Sequence, residues 1–426
     1  MANFKALKGQ GHAPTLFAAF LYFDFSFMVW TMLGPLITEI SESLASHGEV
    51  LTAGQQATLL SVPILSGALL RIVLGFSVDK LGAKRTALVA QLIVISVLFY
   101  AYFRGVTITY NELLVVALGL GFAGASFAVA LPQAGQWYPP KLQGIVLGIA
   151  GAGNVGVVVD FIFAPKIAEK WGWEAVFLVG GVLSLFVWVA YMFLAKDAPV
   201  SVYKPRPKKL ADYGKLLKDR DSWWFMLFYA VSFGGFVGFA NYMKVYLMNT
   251  YQADMSAFGL DMFNESNVKV IAGYFGALTI FAGAILRPVG GGIADKMGGI
   301  KALYILFAIV LMLVILSGVV HLPFWVAIAV LFVIMASLGM ANGAVFQLVP
   351  QRFGKDIGIM TGLIGAAGGI GGTFLVKTLG WAKGTFDNYS MGFFIFAALV
   401  LVAIGAISLV KTRWRTTWGV NSGGII

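Results

Sequence analysis

Two arginines, Arg71 and Arg287, stand inside long apolar runs. A guanidinium there is costly in lipid, so it faces a cavity or a partner. The bland alternatives are a charge neutralised by an acid of the same run, or one whose long side chain reaches the headgroups. The only nearby acids, Asp79 and Asp295, lie at loop edges, which favours a functional pair. Two guanidiniums facing each other in a low-dielectric cavity repel unless an anion sits between them. Their planar, forked donors suit a flat oxyanion. Residue type alone specifies charge, because a tetrahedral phosphate or a carboxylate fits the same donors.

Three further polar residues interrupt apolar runs. Asn154, within Gly153-Asn154-Val155-Gly156, carries an amide whose NH₂ could donate to an anion. Asp24 and Asp160 are the acids placed where a proton could be carried, Asp24 first because it lies one turn before Phe27; a local hydrogen bond is the plain alternative for Asp24. The chain has no cysteine, and His12, His47 and His321 are far apart, so neither a metal site nor a nucleophile–base pair is expected. No cofactor is expected and an enzyme is the least favoured class.

The elements that must hold these residues follow from composition. With 59% hydrophobic and 12% charged residues and a mean hydropathy of +0.86, the solvent for most of the chain is lipid. Twelve apolar runs of spanning length lie at about 15–40, 55–77, 86–104, 112–132, 142–165, 172–195, 222–248, 267–289, 301–320, 324–348, 357–380 and 389–411. They are numbered here as spans 1 to 12. The run after Met1 to Pro14 is full length without a small-residue cleavage site, so it reads as the first span rather than a removed signal.

With both termini inside, 21 Lys and Arg fall in cytoplasmic segments. Seven fall outside: Arg104, Lys166, Lys170, Lys244, Lys269, Lys377 and Lys383. This asymmetry predicts a multi-pass protein of the plasma or bacterial inner membrane with cytoplasmic termini. It also turns the net charge of +11 away from nucleic acid. The longest inner connection, with Pro199, Pro205 and Pro207 among basic residues, reads as a linker with one short surface helix. It predicts a bundle over 1–197, a cytoplasmic linker over 198–221 and a second bundle over 222–426.

The halves echo each other. Leu70-Arg71 with Gly75, Asp79, Lys80 and Gly82 recurs 216 residues later as Leu286-Arg287 with Gly291, Asp295, Lys296 and Gly298. Gly121, Ala123, Pro132 and Gln133 recur 218 residues later as Gly339, Ala341, Pro350 and Gln351. Parallel six-helix repeats place a substrate near the midplane between the halves. Spans 5 and 11 are rich in glycine (Gly144, Gly148, Gly151, Gly153 and Gly156; Gly358, Gly362, Gly365, Gly368, Gly369, Gly371 and Gly372), which allows helices to touch backbone to backbone.

The turns Asp79-Lys80-Leu81-Gly82-Ala83-Lys84-Arg85 and Asp295-Lys296-Met297-Gly298-Gly299-Ile300-Lys301 resemble the charged loop motif of the major facilitator superfamily. Three stretches narrow the resemblance to its nitrate/nitrite porter family: Ser66 to Arg71, Gly151 to Gly156, and Gly362 to Gly372. Gln143 stands where that family's span 5 signature begins with glycine. The resemblance implies an all-α membrane protein of major facilitator fold, with 12 transmembrane helices in two pseudo-symmetric six-helix bundles. It implies that Arg71 and Arg287 bind the anion, that Asn154 and the Tyr229 hydroxyl contact it, and that Phe127, Phe346, Phe27 and Phe233 wall the site. It further implies that Gly362 brings backbone close to the substrate, and that Asp79, Lys80, Asp295 and Lys296 act with Gly151, Gly153, Gly156, Gly365, Gly368 and Gly369 in conformational switching. The expected function is nitrate transport, with nitrite a second substrate, by alternating access in a monomer. Proton symport through Asp24 or Asp160 is preferred over nitrate/nitrite exchange. Organic-anion or phosphate-ester transport and a transporter-like anion sensor are the rivals.

Overall fold

The computed structural model describes residues 9–421 apart from 10, 140, 141, 143–145, 147, 148, 152, 200–209 and 264. The expectations for Gln143, Gly144, Gly148 and linker residues 200–209 lie outside the described residues. The described secondary structure is entirely helical. Eleven described helices are long and apolar enough to cross a membrane: Ala13–Ser46, Ala53–Leu81, Ala83–Thr107, Tyr110–Gln136, Trp173–Leu194, Arg220–Phe258, Val268–Met297, Gly299–Val319, Phe324–Phe353, Ile357–Phe386 and Ser390–Thr416. They are spans 1 to 4 and 6 to 12. Span 5 is described chiefly as a 3-10 turn, Gly153–Val155, and a 16-residue helix, Gly156–Trp171.

Several predicted boundaries move, span 8 running on to Met297 and span 11 to Phe386, and three spans differ in shape. Span 1 continues past a break at Met32 to Ser46. Span 4 breaks at Ala125–Ser126 and resumes as Phe127–Gln136. Span 7 belongs to a helix running Arg220–Phe263 with a kink at Tyr251. The expected surface helix of the linker is Leu210–Lys218, with Tyr213 stacked on Phe76 of span 2.

Lipid is the outer solvent, and burial follows a period of three helices. The most apolar windows of spans 3, 6, 9 and 12 are 39–44% buried, against 50–72% for the other long spans. Spans 3, 6, 9 and 12 therefore form the perimeter, presenting Phe103, Phe186, Met312 and Leu409 outward. The bundles meet through spans 2 and 11, 5 and 8, and 1 and 7.

The sequence echo is a structural one. Gly82 (φ 85°) ends span 2 and Gly298 (φ 89°) ends span 8, both in backbone that favours glycine. In the first half a Cβ on Gly121 would strike Ser66 and Gly67, and in the second a Cβ on Gly339 would strike Gly283. Spans 2 and 4, and spans 8 and 10, thus cross at matched glycine contacts, and these crossings carry the two arginines.

Polar contacts joining the bundles cluster on the side away from the chain ends. Lys244 Nζ of span 7 donates to Pro35 O and Glu39 Oε1 of span 1, each at 2.5 Å. Lys269 pairs with Glu42, Lys377 Nζ donates to Thr58 Oγ1 at 2.5 Å, and Asn267 Nδ2 donates to Glu169 Oε1 at 2.9 Å. Lys244, counted in the sequence among the outer cations, has its side chain fully buried within span 7, where Glu39 of the other bundle balances its charge.

Candidate anion site between the bundles

Arg71 is 3% exposed and makes no ion pair among the described residues. Its Nε donates to Gly124 O at 3.2 Å and its Nη1 to Gly365 O at 2.6 Å. The first acceptor exists because span 4 breaks: the Ala128 N–H bonds to Ala125 O, which releases the Gly124 carbonyl from the helical ladder. The second lies in the other bundle, and only glycine permits it, since a Cβ on Gly365 would stand 3.0 Å from Arg71 Nη1. The guanidinium carbon lies 5.5 Å from the Trp30 ring, 5.5 Å from Phe127 and 5.4 Å from Phe233. Carbonyl oxygens and ring faces therefore hold this charge in place of a carboxylate.

Arg287 is placed by the same crossing in the second half but is bound more loosely. It is half-buried, its guanidinium carbon lies 5.2 Å from the Phe346 ring, and its Nη2 has only a long 3.5 Å contact with the Tyr229 hydroxyl. Its Nη1 is buried with no hydrogen-bond partner among the described residues. Each arginine lies in the electrostatic field of the other.

Aromatic contacts close the space between them into a ring. Phe127 meets Phe346 at 6.4 Å, Phe346 meets Tyr229 at 5.2 Å, and Tyr229 stacks on Phe233 at 5.0 Å. The expected residues Arg71, Phe127, Phe346, Arg287, Tyr229 and Phe233 thus form one circuit drawn from both bundles. Phe27 reaches it only through Phe23, at 5.9 Å, and Trp30, at 5.3 Å. Phe23, which the sequence reading passed over, meets Phe127 at 5.6 Å, as Tyr229 meets Phe346 in the second half.

Glycines of span 11 decide how closely this circuit packs. A Cβ on Gly368 would stand 2.7 Å from the Tyr229 ring, and one on Gly369 would stand 2.5 Å from Ala68 of span 2. Gly362, nearly two turns earlier, faces open space. On span 5, a Cβ on Gly156 would run into the Asp24 backbone, while the interface of spans 5 and 8 places its close-packed glycines on span 8, where Gly273 and Gly276 meet Phe161.

Asn154 is buried in the 3-10 turn, which packs against spans 1 and 8. Its Oδ1 has no partner among the described residues. Asp24 Oδ1 accepts the Gly156 N–H at 2.8 Å, capping the helix that restarts after this turn. Asp160 lies one turn further on, 4% exposed, its Oδ2 without a partner among the described residues. Of the expected switching residues, Gly151 and Gly153 flank the broken start of span 5, Asp79 and Lys80 end span 2, and Asp295 and Lys296 are exposed at the end of span 8.

Sequence reasoning missed the Gly124 and Gly365 carbonyls, Trp30, Phe23 and Lys244. No residue type announces an available carbonyl, whereas the glycines at 124 and 365 were visible signs of close approach.

Residues 16–376 match the family model described as Major Facilitator Superfamily. The chain is 30% identical over 411 residues to the "Nitrite extrusion protein" of Bacillus subtilis, covering 94% of this chain and 95% of that one. It is 28% identical over 386 residues to the "Probable nitrate transporter NarT" of Staphylococcus haemolyticus, covering 89% and 92%. It is 28% identical to the "Probable nitrate/nitrite antiporter NarK1" of Thermus thermophilus, covering 91% and 89%. A bacterial homologue of the human lysosomal transporter Spinster, solved inward-facing and occupied, shares the fold with a TM-score of 0.67 at 15% identity, covering 93% of this chain and 96% of that one. The chain belongs to the major facilitator superfamily and, within it, to the nitrate/nitrite porter family.

Proposed function

We propose that this chain carries nitrate, and nitrite as a second substrate, across a cell membrane by alternating access. One observation carries the reading: two guanidiniums from opposite bundles share an aromatic enclosure and, among the described residues, neither is paired with a carboxylate. A planar anion between them accepts from the free Arg287 Nη1 and from the remaining Arg71 donors. It also relieves the repulsion between the two guanidiniums, so the occupied form favours the switch. The Asn154 amide and the Tyr229 hydroxyl add donors at the rim. An enclosure of Phe and Gly suits a small anion better than an organic phosphate, which needs more polar partners. The bundles lie at 1–197 and 222–426, joined by the linker 198–221, and both chain ends lie in the cytoplasm. The contacts of Lys244, Lys269 and Lys377 close the outer side, so the site is reached from within. A monomer contains the complete site.

For coupling, proton symport through Asp24 or Asp160 stands beside nitrate/nitrite exchange. The Asp24–Gly156 bond favours exchange, because it gives Asp24 a structural duty that needs no proton. Nitrate and nitrite entry into proteoliposomes under a proton gradient, with counter-anion inside, or with neither, tests the whole reading. Entry that follows the gradient supports symport, and entry that requires an internal anion supports exchange. Entry of neither anion under any condition sinks the assignment.

A further inference from the structure

We infer that Trp30 is a positioning residue for Arg71: its indole face, seated by the same two spans that hold Arg71, presets the guanidinium for the anion. The inference rests on the reading that Arg71 binds the transported anion. Trp30 is 1% exposed, and its Nε1–H donates to Pro63 O of span 2 at 2.7 Å. The ring lies where two glycines leave room for it. A Cβ on Gly67 of span 2 would stand 2.9 Å from Nε1, and one on Gly124 of span 4 would run into the same ring. Gly67 precedes Arg71 by one helical turn, and Gly124 supplies the carbonyl that accepts from Arg71 Nε. The seat of the indole and the seat of the guanidinium are therefore one construction.

The second half shows what the arrangement adds. Among the described residues Arg287 has one ring near its guanidinium where Arg71 has three, and its Nη1 is unpartnered. At the position of the Gly67 contact, Gly283 meets Phe236, which brings no N–H to bond across the crossing. Arg71 is thus a fixed anchor and Arg287 the arm that closes on the anion. Indole has the most negative face of the natural side chains and binds a desolvated cation best, so Trp30 supports that division without touching the substrate.

The test measures nitrate KM, turnover, nitrate-over-chloride selectivity and melting temperature for reconstituted wild type, Trp30→Phe and Trp30→Leu. The leucine variant raises KM roughly 10- to 30-fold, the size of a desolvated cation–ring contact, and loses selectivity while turnover changes little. The phenylalanine variant, which keeps a ring face, restores most of both. A general packing defect moves the melting temperature and turnover without this split. Should Trp30→Leu fail to fold, phenylalanines bearing one, two and three fluorines at position 30 decide the matter at nearly constant shape. KM then climbs stepwise as the ring face loses negative charge, and a flat series overturns the inference. Wild-type KM and selectivity in Trp30→Leu remove this inference alone, whereas a wild-type protein that carries no nitrate removes the transport reading with it.

Discussion

Replacing Gly365 by alanine adds one methyl group to the face of span 11 turned toward Arg71, 3.0 Å from Arg71 Nη1 and 3.4 Å from its Cδ. The first separation is tighter than ordinary contact and the second is at its edge, and the Arg71 hydrogen bond to Gly365 O, at 2.6 Å, leaves no slack. The guanidinium must withdraw. A buried hydrogen bond to a charged group contributes about 1.5–3 kcal/mol, so nitrate KM should rise roughly 10- to 150-fold at 1.4 kcal/mol per decade. The helix itself gains, since Gly to Ala in a helix interior favours the helix by about 1 kcal/mol. The expected signature is therefore a large rise in KM with an unchanged or higher melting temperature, read by nitrate uptake into proteoliposomes alongside thermal unfolding of the purified protein. Gly405→Ala is the control: nothing lies within 4 Å of a Cβ there, and it should leave uptake at the wild-type level. A Gly365→Ala protein with wild-type KM, or a Gly405→Ala protein equally impaired, refutes the argument that Arg71 is held through this carbonyl.

Arg71→Lys should reduce nitrate uptake to below about 5% of wild type while the protein stays folded, because an ammonium cannot keep two carbonyl contacts and a planar face toward three rings; normal uptake contradicts planar recognition. Lys244→Met removes a contact that joins the bundles on the side away from the chain ends and, on the proposed orientation, should raise labelling of Ser61→Cys by a membrane-impermeant maleimide added outside. The chain has no cysteine of its own, so labelling reports that site alone, and unchanged labelling denies Lys244 a part in outer closure. Asp24→Asn keeps an oxygen acceptor for the Gly156 N–H, whereas Asp24→Ala loses the cap and should lower stability by about 0.5–2 kcal/mol. If the capping duty is the whole role, Asp24→Asn retains nitrate entry at all proton gradients; loss of gradient-driven entry in that variant makes Asp24 a coupling residue instead.

The architecture was legible in the sequence because its signals are one-dimensional. A run of apolar residues long enough to cross lipid, a charge that interrupts it, and a motif repeated 216 residues later need no partner to be seen. Those signals are enough to pick out Arg71 and Arg287, to pair the halves, and to point to Gly82 and Gly298 as turn glycines. The circuit of Phe127, Phe346, Tyr229 and Phe233 came instead from family resemblance, since nothing in the pattern distinguishes four rings among 35 Phe and 15 Tyr.

What only the tertiary structure decided is which neighbour each residue meets. Lys244 reads from the sequence as one more cation near a span end; its burial depends on Glu39 and Pro35, some two hundred residues earlier in the chain. Asp24 reads from the sequence as a proton carrier or as an acid with a local hydrogen bond; that the Gly156 N–H is its partner comes only from the restart of span 5 beside span 1. Trp30 is one of 11 tryptophans until Gly67 and Gly124 leave a slot for it beside Arg71. The chain announces by itself that it must bury cations in lipid. Which carbonyl or ring offsets each buried charge is a property of helix crossings, and a crossing is set by the fit of two surfaces that the sequence holds far apart.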